Sequence, residues 1–370
     1  MRMAIILDQL FDTAGSERVA QYICEEFAEA DVYTLAYNPQ TTFPYFSNRN
    51  IRTTWLNRFV RSMPAFRWSF PLATYVMQSL NLAGYDAVLS CSATVAKYVS
   101  APKGTHICYC YIPTRALWHF EEYFRPSVRA AVVKPFLNYL RKRDYRAAQR
   151  VDRFIAISEI SRNYISTYYK KTANVIHCPV DLALFRPVKE RKDHYLMVSR
   201  LESWKKLDFA IEAFNSLNLP LRVVGSGPEE ARLRALANRN VVFVGRVDDA
   251  TLAAEYSEAR AVVFPPYLEY GLIPLEANAC GTPVICYGKG GVTETMIPVN
   301  GRNDPASPPT AVFFKDQTSA SLIQAVREFE GCEFSRDTLV RHAESWSVPE
   351  FQRRIRAAVM SFASGSAQFR

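Results

Sequence analysis

The sequence predicts an α/β protein with two successive doubly wound domains, each built on a parallel sheet. Short apolar runs alternate with amphipathic segments along the whole chain, which is the pattern of β-α-β units. The alternation restarts after residues 179–187, a segment that begins and ends with proline. The length of 370 residues also exceeds the roughly 250–300 residues at which a single core stops growing. We therefore predict domains at 1–183 and 184–345, followed by a closing stretch, 346–370, that can pack back on the first domain.

In the first domain, the run Met3–Leu7 is apolar on both faces and predicts a buried first strand. The turn 12–15 follows it and leads into a helix predicted at 17–27. The remaining strands of this domain are predicted at 31–35, 87–90, 106–111 and 153–157.

In the second domain, five apolar runs of four or five residues predict strands, and amphipathic segments predict the helices between them. The closing stretch has an amphipathic, basic helical pattern at 348–362. The strands are predicted at 195–199, 221–224, 241–244, 261–265 and 282–286, and the helices at 206–214, 229–237, 248–258 and 274–279.

Composition excludes several classes of protein. A hydrophobic content of 49% with 22% charged residues excludes a mostly disordered chain. No run approaches the ~18–20 apolar residues of a membrane-spanning helix. The four consecutive apolar residues at 4–7 are too few for a secretory signal. We expect a soluble, cytoplasmic protein.

Cysteine and histidine spacing gives no sign of a metal site. None of the eight cysteines forms a C-x-x-C pair, so we expect reduced, mostly buried thiols. The five histidines have no metal-ligand spacing, and no metal or other cofactor is expected.

The formal net charge of +9 belongs almost entirely to the first half of the chain, where residues 1–183 hold 22 Lys+Arg against 14 Asp+Glu. This pattern has two interpretations: ordinary solvated surface, or a surface for anionic lipid heads or a lipid-linked phosphate. Nucleic acid is not favoured, because no recognition motif accompanies the charge. The basic residues concerned recur at helical spacing (Arg141, Lys142, Arg143, Arg146, Arg150, Arg153) or lie among aromatic residues (Arg58, Arg61, Arg67).

Candidate chemistry lies after the strands, because ligands of parallel sheets bind beyond the carboxyl ends. Gly15 follows the first strand at a helix start, where free amides attract phosphate, although an ordinary capped helix explains it as well. After the strand at 195–199, Arg200 and Lys205 can converge on one anion. As an isolated pattern, a surface cluster of basic residues would explain them too.

Two further segments follow strands of the second domain. Gly225 and Gly227 match only the opening of G-x-G-x-x-G, because Glu230 replaces the third glycine, so a dinucleotide site is not supported. The stretch 265–285 offers helix-start amides after Gly271, and we place Glu276 in the first turn of that helix.

Taken together, these segments resemble the family-4 (group 1) retaining glycosyltransferases, which have the GT-B fold of two Rossmann-like domains facing across a cleft. The most specific match is L-E-A-N-A-C-G-T-P-V-I at 275–285. S-R-L-x-x-x-K-K at 199–206, G-S-G-P at 225–228 and I-H-C-P-V-D-L-A-L-F-R-P at 176–187 support it. Y-C-Y-I-P-T-R-A-L-W at 109–118 resembles a stretch of bacterial O-antigen and exopolysaccharide mannosyltransferases.

The resemblance implies a role for each matched residue. Arg200 and Lys205, with Lys206 as a substitute, would hold the nucleotide-sugar diphosphate, and Glu276 would bind the ribose. The reaction would retain the anomeric configuration and need no metal. The other implied donor-site residues are Gly15, Ser199, Gly225, Gly227, Arg246, Gly271, Leu272 and Ile273.

Two positions depart from the family pattern. The first Glu of the family's E-x7-E motif is Leu268 here, with Glu269 one residue later as the candidate replacement. The histidine of the C-H-T-P stretch is Tyr111, a poor proton acceptor at neutral pH. We place Glu269 and Tyr111 with the catalytic residues because of these positions.

Two hypotheses follow from the resemblance. The first is an enzyme that moves a hexose, mannose first, from a nucleotide sugar (GDP-mannose first, a UDP sugar second) to a saccharide or lipid-linked acceptor in bacterial surface polysaccharide (lipopolysaccharide) biosynthesis. It would be peripheral on the inner face of the membrane. The second is a non-catalytic GT-B scaffold that binds a nucleotide or saccharide in a polysaccharide assembly complex.

Overall fold

The structure is a computed structural model that describes residues 1–119, 128–299 and 308–364. The chain forms two compact units. Unit 1 comprises Met1–His177 together with Phe351–Arg370, and unit 2 is the continuous segment Cys178–Glu350. The predicted boundary at 183/184 lies a few residues later than the change of unit. Residues 365–370 of the predicted closing stretch lie outside the described residues.

Unit 1 is built on a seven-stranded parallel sheet with the strand order β3-β2-β1-β4-β5-β6-β7. The five predicted strands are present, each shifted by no more than two residues at an end. The two strands at the edges of the sheet, β3 and β7, were not predicted, because their three-residue sequences contain polar residues. The strands are β1 Met3–Leu7, β2 Asp31–Thr34, β3 Ile51–Thr53, β4 Ala87–Ser92, β5 Thr105–Cys110, β6 Arg153–Ala156 and β7 Ala173–Val175.

Helices cover the sheet of unit 1, and the last described helix of the chain belongs to this unit from Phe351 onward. In that helix, Arg356 forms an ion pair with Glu26, and the ring of Phe351 lies 5.8 Å from that of Tyr109. The helices are α1 Gly15–Glu26, α2 Pro44–Ser47, α3 Met63–Gln78, α4 Arg115–Trp118, α5 Val128–Gln149, α6 Glu159–Tyr164 and, at the end of the chain, α14 Val348–Ala363.

A buried ion pair fixes α5 within unit 1. Lys97 Nζ lies 2.9 Å from Asp144 Oδ1, and neither side chain is exposed to solvent. Asp144 also accepts hydrogen bonds from the hydroxyls of Tyr98 and Tyr169, at 2.9 Å and 2.7 Å. Because a buried charge is tolerated only when it is paired and hydrogen-bonded, this network restricts the position of α5.

Unit 2 is built on a six-stranded parallel sheet with the order β10-β9-β8-β11-β12-β13. Apolar side chains on one face of this sheet pack with those of the helices that cover it, and the core so formed includes Met197, Phe214 and Ile285, all fully buried. The strand β13 was not predicted. The strands are β8 Tyr195–Val198, β9 Leu221–Val224, β10 Val241–Gly245, β11 Val262–Phe264, β12 Val284–Tyr287 and β13 Ala311–Phe314.

The helices of unit 2 lie between these strands, and the four predicted ones are present with shifted ends. They are α7 Asp208–Leu217, α8 Glu230–Leu236, α9 Asp249–Glu258, α10 Leu272–Ala279, α11 Val292–Thr295, α12 Ser319–Glu330 and α13 Arg336–Glu344.

Two further expectations from the sequence concern the cysteine thiols and the length and polarity of the helices. Seven of the eight cysteines are buried, all eight are free thiols, and only Cys332 is partly exposed. Within the described ranges, the helices are too short or too polar to cross a lipid bilayer.

Candidate functional site

The main candidate site lies at the carboxyl edge of the sheet in unit 2. Strand β8 pairs with β9 on one side, with Val198 opposite Val224, and with β11 on the other, with Leu196 opposite Val262. Because all three strands are parallel, the loops that follow them meet at one edge. These loops are the three segments singled out in the sequence.

The loop after β8 contains the two predicted diphosphate cations. Arg200 is exposed and lies 3.2 Å from Glu202, whereas Lys205 is buried and its Nζ lies 4.2 Å from the centre of the Trp204 ring. Lys206 ends the turn with a positive φ of 50° and is exposed. The face of the Trp204 ring and the burial of Lys205 hold its ammonium group in place. Arg200 is exposed, so it can leave Glu202 and pair with an anionic ligand instead.

The glycines after β9 let two loops pack backbone to backbone. A Cβ at Gly225 would lie 1.9 Å from the carbonyl oxygen of Ser199, and the φ of Gly225 is +129°. The adjacent amide of Leu201 donates to Ser226 O at 3.0 Å. Gly225 N in turn donates to Gly245 O at 2.8 Å, beside the exposed Arg246. The two glycines therefore set the position of the loop that contains Arg200 and the buried Ser199. This structural role holds whether or not the glycines contact a ligand.

The loop after β11 ends at the start of α10. Gly271 is the cap residue of this helix, and no side-chain hydrogen bond from it satisfies the first amides. The amides of Leu272 and Ile273 belong to the first turn, where amides lack partners within the helix. The third helical residue is Pro274, which has no amide hydrogen. This arrangement leaves a short row of donors that suits an anion.

Leu268 and Glu269, where the family pattern breaks, are held by the loop after β12. Leu268 O accepts from Gly291 N at 2.8 Å, and a Cβ at Gly291 would lie 2.3 Å from Glu269 O. Glu269 itself is only 8% exposed. The role of Glu269 as a replacement carboxylate stays a prediction.

Glu276 lies in the second turn of α10, not in the first as the sequence suggested, because the helix begins two residues earlier than predicted. Its Oε2 accepts a hydrogen bond of 2.8 Å from the hydroxyl of Tyr256, a residue of α9 that is fully buried. A carboxylate has about four acceptor positions, so Glu276 can bind hydroxyls of a ligand while Tyr256 orients it.

A second, smaller site lies at the carboxyl edge of the sheet in unit 1. A cavity of about 40 Å³ is lined by residues after β1 and β4, by the first turn of α1, and by Tyr111. The hydroxyl of Tyr111 donates to Ser16 O at 2.9 Å, next to the predicted Gly15. Nearby, Asp8 accepts hydrogen bonds from four successive amides, those of Ala93, Thr94, Val95 and Ala96.

Glu17 is a buried carboxyl group among the residues that line this cavity. Its side chain is 6% exposed, and burial raises its pKa from 4.5 to about 7, against the opposing effect of a hydrogen bond from Ser16. Glu17 is therefore largely protonated below neutral pH and able to donate a hydrogen bond. Burial is the cause of the raised pKa, and the position of Glu17 at the start of a helix does not reveal in the sequence that its side chain is buried.

The structure thus brings the loop of Arg200 and Lys205, the start of α10 and Glu276 to one edge of unit 2. Gly225 and Gly227 follow β9, and Arg246 follows β10, at the same edge on the other side of β8. Gly15 and Tyr111 belong to unit 1. Asp8, Glu17 and Tyr256 were not predicted from the sequence. Asp8 could have been found as a carboxylate directly after the first strand, but nothing in the sequence pointed to the burial of Glu17 or to Tyr256.

Two parallel-sheet α/β units with ligand-directed loops at their carboxyl edges define the GT-B class of glycosyltransferase fold. Residues 13–184 match the family described as Glycosyltransferase Family 4, and residues 185–346 match that described as Glycosyl transferases group 1. Together these matches span most of the chain, which belongs to the group 1 glycosyltransferases.

One curated relative is the D-rhamnosyltransferase WbpZ of Pseudomonas aeruginosa, 29% identical over 220 residues that cover 54% of this chain and 55% of WbpZ. The chain spans about half the length of the curated relatives it matches.

Two solved structures share the fold. Sucrose-phosphate synthase of Thermosynechococcus elongatus is 17% identical, with a TM-score of 0.76 over 99% of this chain and 100% of that one. HepE of Anabaena in complex with UDP is 15% identical, with a TM-score of 0.69 over 98% and 100% of the two chains.

Proposed function

We propose that this protein transfers a hexose from a nucleotide sugar to a saccharide or lipid-linked acceptor in the synthesis of a bacterial surface polysaccharide. The observation that carries the proposal is the edge of unit 2, where the loop that contains Arg200 and the buried Lys205 follows one strand, and α10, with its first amides and Glu276, follows the adjacent strand. Mannose is the first choice of sugar, from the resemblance of residues 109–118. A D-rhamnosyltransferase among the relatives supports a transferase of hexose-type sugars.

In the proposed reaction, the bond between the anomeric carbon and the diphosphate oxygen breaks. Arg200, Lys205 and the amides of Leu272 and Ile273 stabilise the negative charge that develops on the departing diphosphate. A cation 4 Å from an anion contributes about 4 kcal/mol at an effective dielectric of about 20, before desolvation. No metal is required for this stabilisation.

Glu276 holds the ribose of the donor in this proposal, and the acceptor hydroxyl attacks the face that the diphosphate leaves. The product then keeps the anomeric configuration of the donor. The leaving diphosphate takes the proton of the attacking hydroxyl, so the step needs no further base. A nucleoside diphosphate complex of the structural neighbour HepE supports a donor of this class.

The test combines binding and turnover. Calorimetry with GDP and with UDP identifies the base, and a donor panel led by GDP-mannose, with EDTA present, measures transfer. Nuclear magnetic resonance of the product gives the anomeric configuration. Arg200→Ala should reduce turnover at least about a hundredfold if it supplies about 3 kcal/mol of transition-state stabilisation. Lys205→Gln should do the same while keeping the size of the buried side chain.

Arg239→Ala is the matched control, because Arg239 is an exposed arginine of the same unit that precedes β10, at the opposite end of the sheet. Unchanged turnover in both site variants, or equal loss in the control, would remove the diphosphate role. Thermal unfolding of each variant separates loss of chemistry from loss of fold.

A non-catalytic scaffold is the second candidate function, and Leu268 in place of the family's Glu is the observation that favours it. Nucleotide binding with no turnover across the whole donor panel would support the scaffold and refute the enzyme.

A further inference from the structure

Helix α3 and the turn before it carry large aromatic side chains that point into solvent. Trp68 is 89% exposed, Phe59 71% and Trp55 57%. On α3, exposed Leu72 and Tyr75 follow Trp68 at intervals of four and three residues, so the three side chains form one stripe along the helix.

The opposite side of α3 already supplies the core of unit 1. Phe66, Ala73 and Met77 are buried there, so the exposed stripe is not needed for folding. Contiguous exposed apolar surface of this kind marks an interaction site in soluble domains.

The stripe continues onto α5. The hydroxyls of Tyr75 and Tyr139 are hydrogen-bonded to each other, and the guanidinium of Arg143 lies 3.5 Å above the Tyr75 ring. Exposed Phe136 stacks against Tyr139, with ring centres 6.5 Å apart. We call this surface the aromatic face, defined by Trp55, Phe59, Trp68, Leu72, Tyr75 and Tyr139.

Among the residues that the structure describes, the charge around the aromatic face has a single sign. The sequence contains no Asp or Glu between residues 32 and 85. Arg58, Arg61 and Arg67 are exposed there, and in the described parts of the chain no carboxylate pairs with them. On the described part of α5, Lys142 and Arg146 are exposed, and the acidic residue of that helix, Asp144, is the buried one described above.

We infer that the aromatic face binds the surface of an anionic lipid bilayer. Tryptophan and tyrosine rings enter the headgroup layer, since they combine an apolar body with a polar tip. The arginines beside them pair with lipid phosphates, each contributing to the attraction. A second copy of the chain suits this face less well, because two surfaces of the same positive sign repel each other.

The inference does not depend on the proposed reaction. Lipid binding is measured without donor, acceptor or turnover, so failure of either proposal leaves the other standing.

The experiment is co-sedimentation of the full chain with vesicles of phosphatidylcholine and phosphatidylglycerol, and with phosphatidylcholine vesicles alone. We expect binding to the anionic vesicles that weakens as salt is raised, because salt screens exposed charges. Replacing Arg58, Arg61 and Arg67 together by Gln should weaken binding about a hundredfold, from roughly fivefold for each basic residue. The double variant Phe59→Ser with Trp68→Ser should also lose binding.

Two further variants make the result specific. Trp68→Phe should keep most of the binding but lose much of the blue shift in tryptophan emission that vesicles produce. Arg239→Gln with Val242→Ser changes an exposed arginine and an exposed apolar residue of unit 2, and should bind like the unaltered chain.

Absence of vesicle binding by the unaltered chain would overturn the inference, as would an equal loss in the unit 2 control. Self-association in analytical ultracentrifugation that the Trp68→Ser change abolishes, without vesicle binding, would assign the face to a second copy instead.

Discussion

Replacing Glu17 by Gln should stabilise unit 1 at neutral and alkaline pH. Burial raises the pKa of Glu17 from 4.5 to about 7, so the folded chain holds this proton more tightly than the unfolded chain. Between these two values the unfolded chain releases the proton first, and the stability of the folded chain falls as the pH rises. Below about pH 4.5 both states are protonated and the effect vanishes.

The magnitude follows from the size of the shift. Each pKa unit corresponds to about 1.4 kcal/mol, so the ionised Glu17 destabilises unit 1 by about 3 kcal/mol above pH 7. Glutamine has nearly the same shape and no charge, and Ser16 can still donate to its side-chain oxygen. The Glu17→Gln variant should therefore match the unaltered chain at pH 4.5 and exceed its stability by about 3 kcal/mol at pH 8.

The assay is hydrogen exchange of the unit 1 strands at a series of pH values, because it reports on that unit alone. His106 acts in the opposite direction, since burial lowers its pKa to about 3. It therefore costs stability as the pH falls below its ordinary value of 6.5. His106 is present in both chains, so its effect cancels in the difference between them. A difference between the two chains that stays constant with pH would refute the assignment of a raised pKa to Glu17.

The remaining predictions concern unit 2. Glu276→Ala should weaken nucleotide binding by about 1.5–3 kcal/mol, the range for hydrogen bonds to a charged group. Tyr256→Phe should weaken it less, and in calorimetry the two changes together should not add, because Tyr256 acts through Glu276; full additivity would contradict that. Gly225→Ala should destabilise unit 2 by at least about 1–3 kcal/mol, since its Cβ would clash with Ser199 O. Urea unfolding measures this, and an unchanged midpoint would show that the two loops can separate freely.

Central strands such as β1 and β11 could be predicted because they are buried on both faces and read as continuous apolar runs. Ile51–Thr53 and Ala173–Val175 were missed because edge strands are paired on one side and need little apolar sequence. The start of α10 was predicted too late, at Pro274. Proline fits anywhere in the first turn of a helix, so it does not by itself mark the first residue.

The candidate site could be predicted where it is formed by the loops that follow neighbouring parallel strands. Arg200, Gly225 and Gly271 each follow a strand, and adjacent parallel strands bring such loops together. The hydrogen bond from Tyr256 to Glu276 depends on how α9 packs beside α10, and the burial of Glu17 depends on the segments after β1 and β4 and on Tyr111. The local sequence pattern contains no information about either.

Because α14 is part of unit 1 although unit 2 precedes it in the chain, synthesis of the two units overlaps. Residues 1–177 are synthesised before unit 2, but they lack α14 until residues 178–350 have also been made. Residues 178–350 are complete earlier and need no later segment. A fragment ending at 177 would expose the ring of Tyr109 and the carboxylate of Glu26 that α14 covers, whereas a fragment of 178–350 keeps its own core. Of the two units, only unit 2 can therefore be produced as one continuous fragment, residues 178–350.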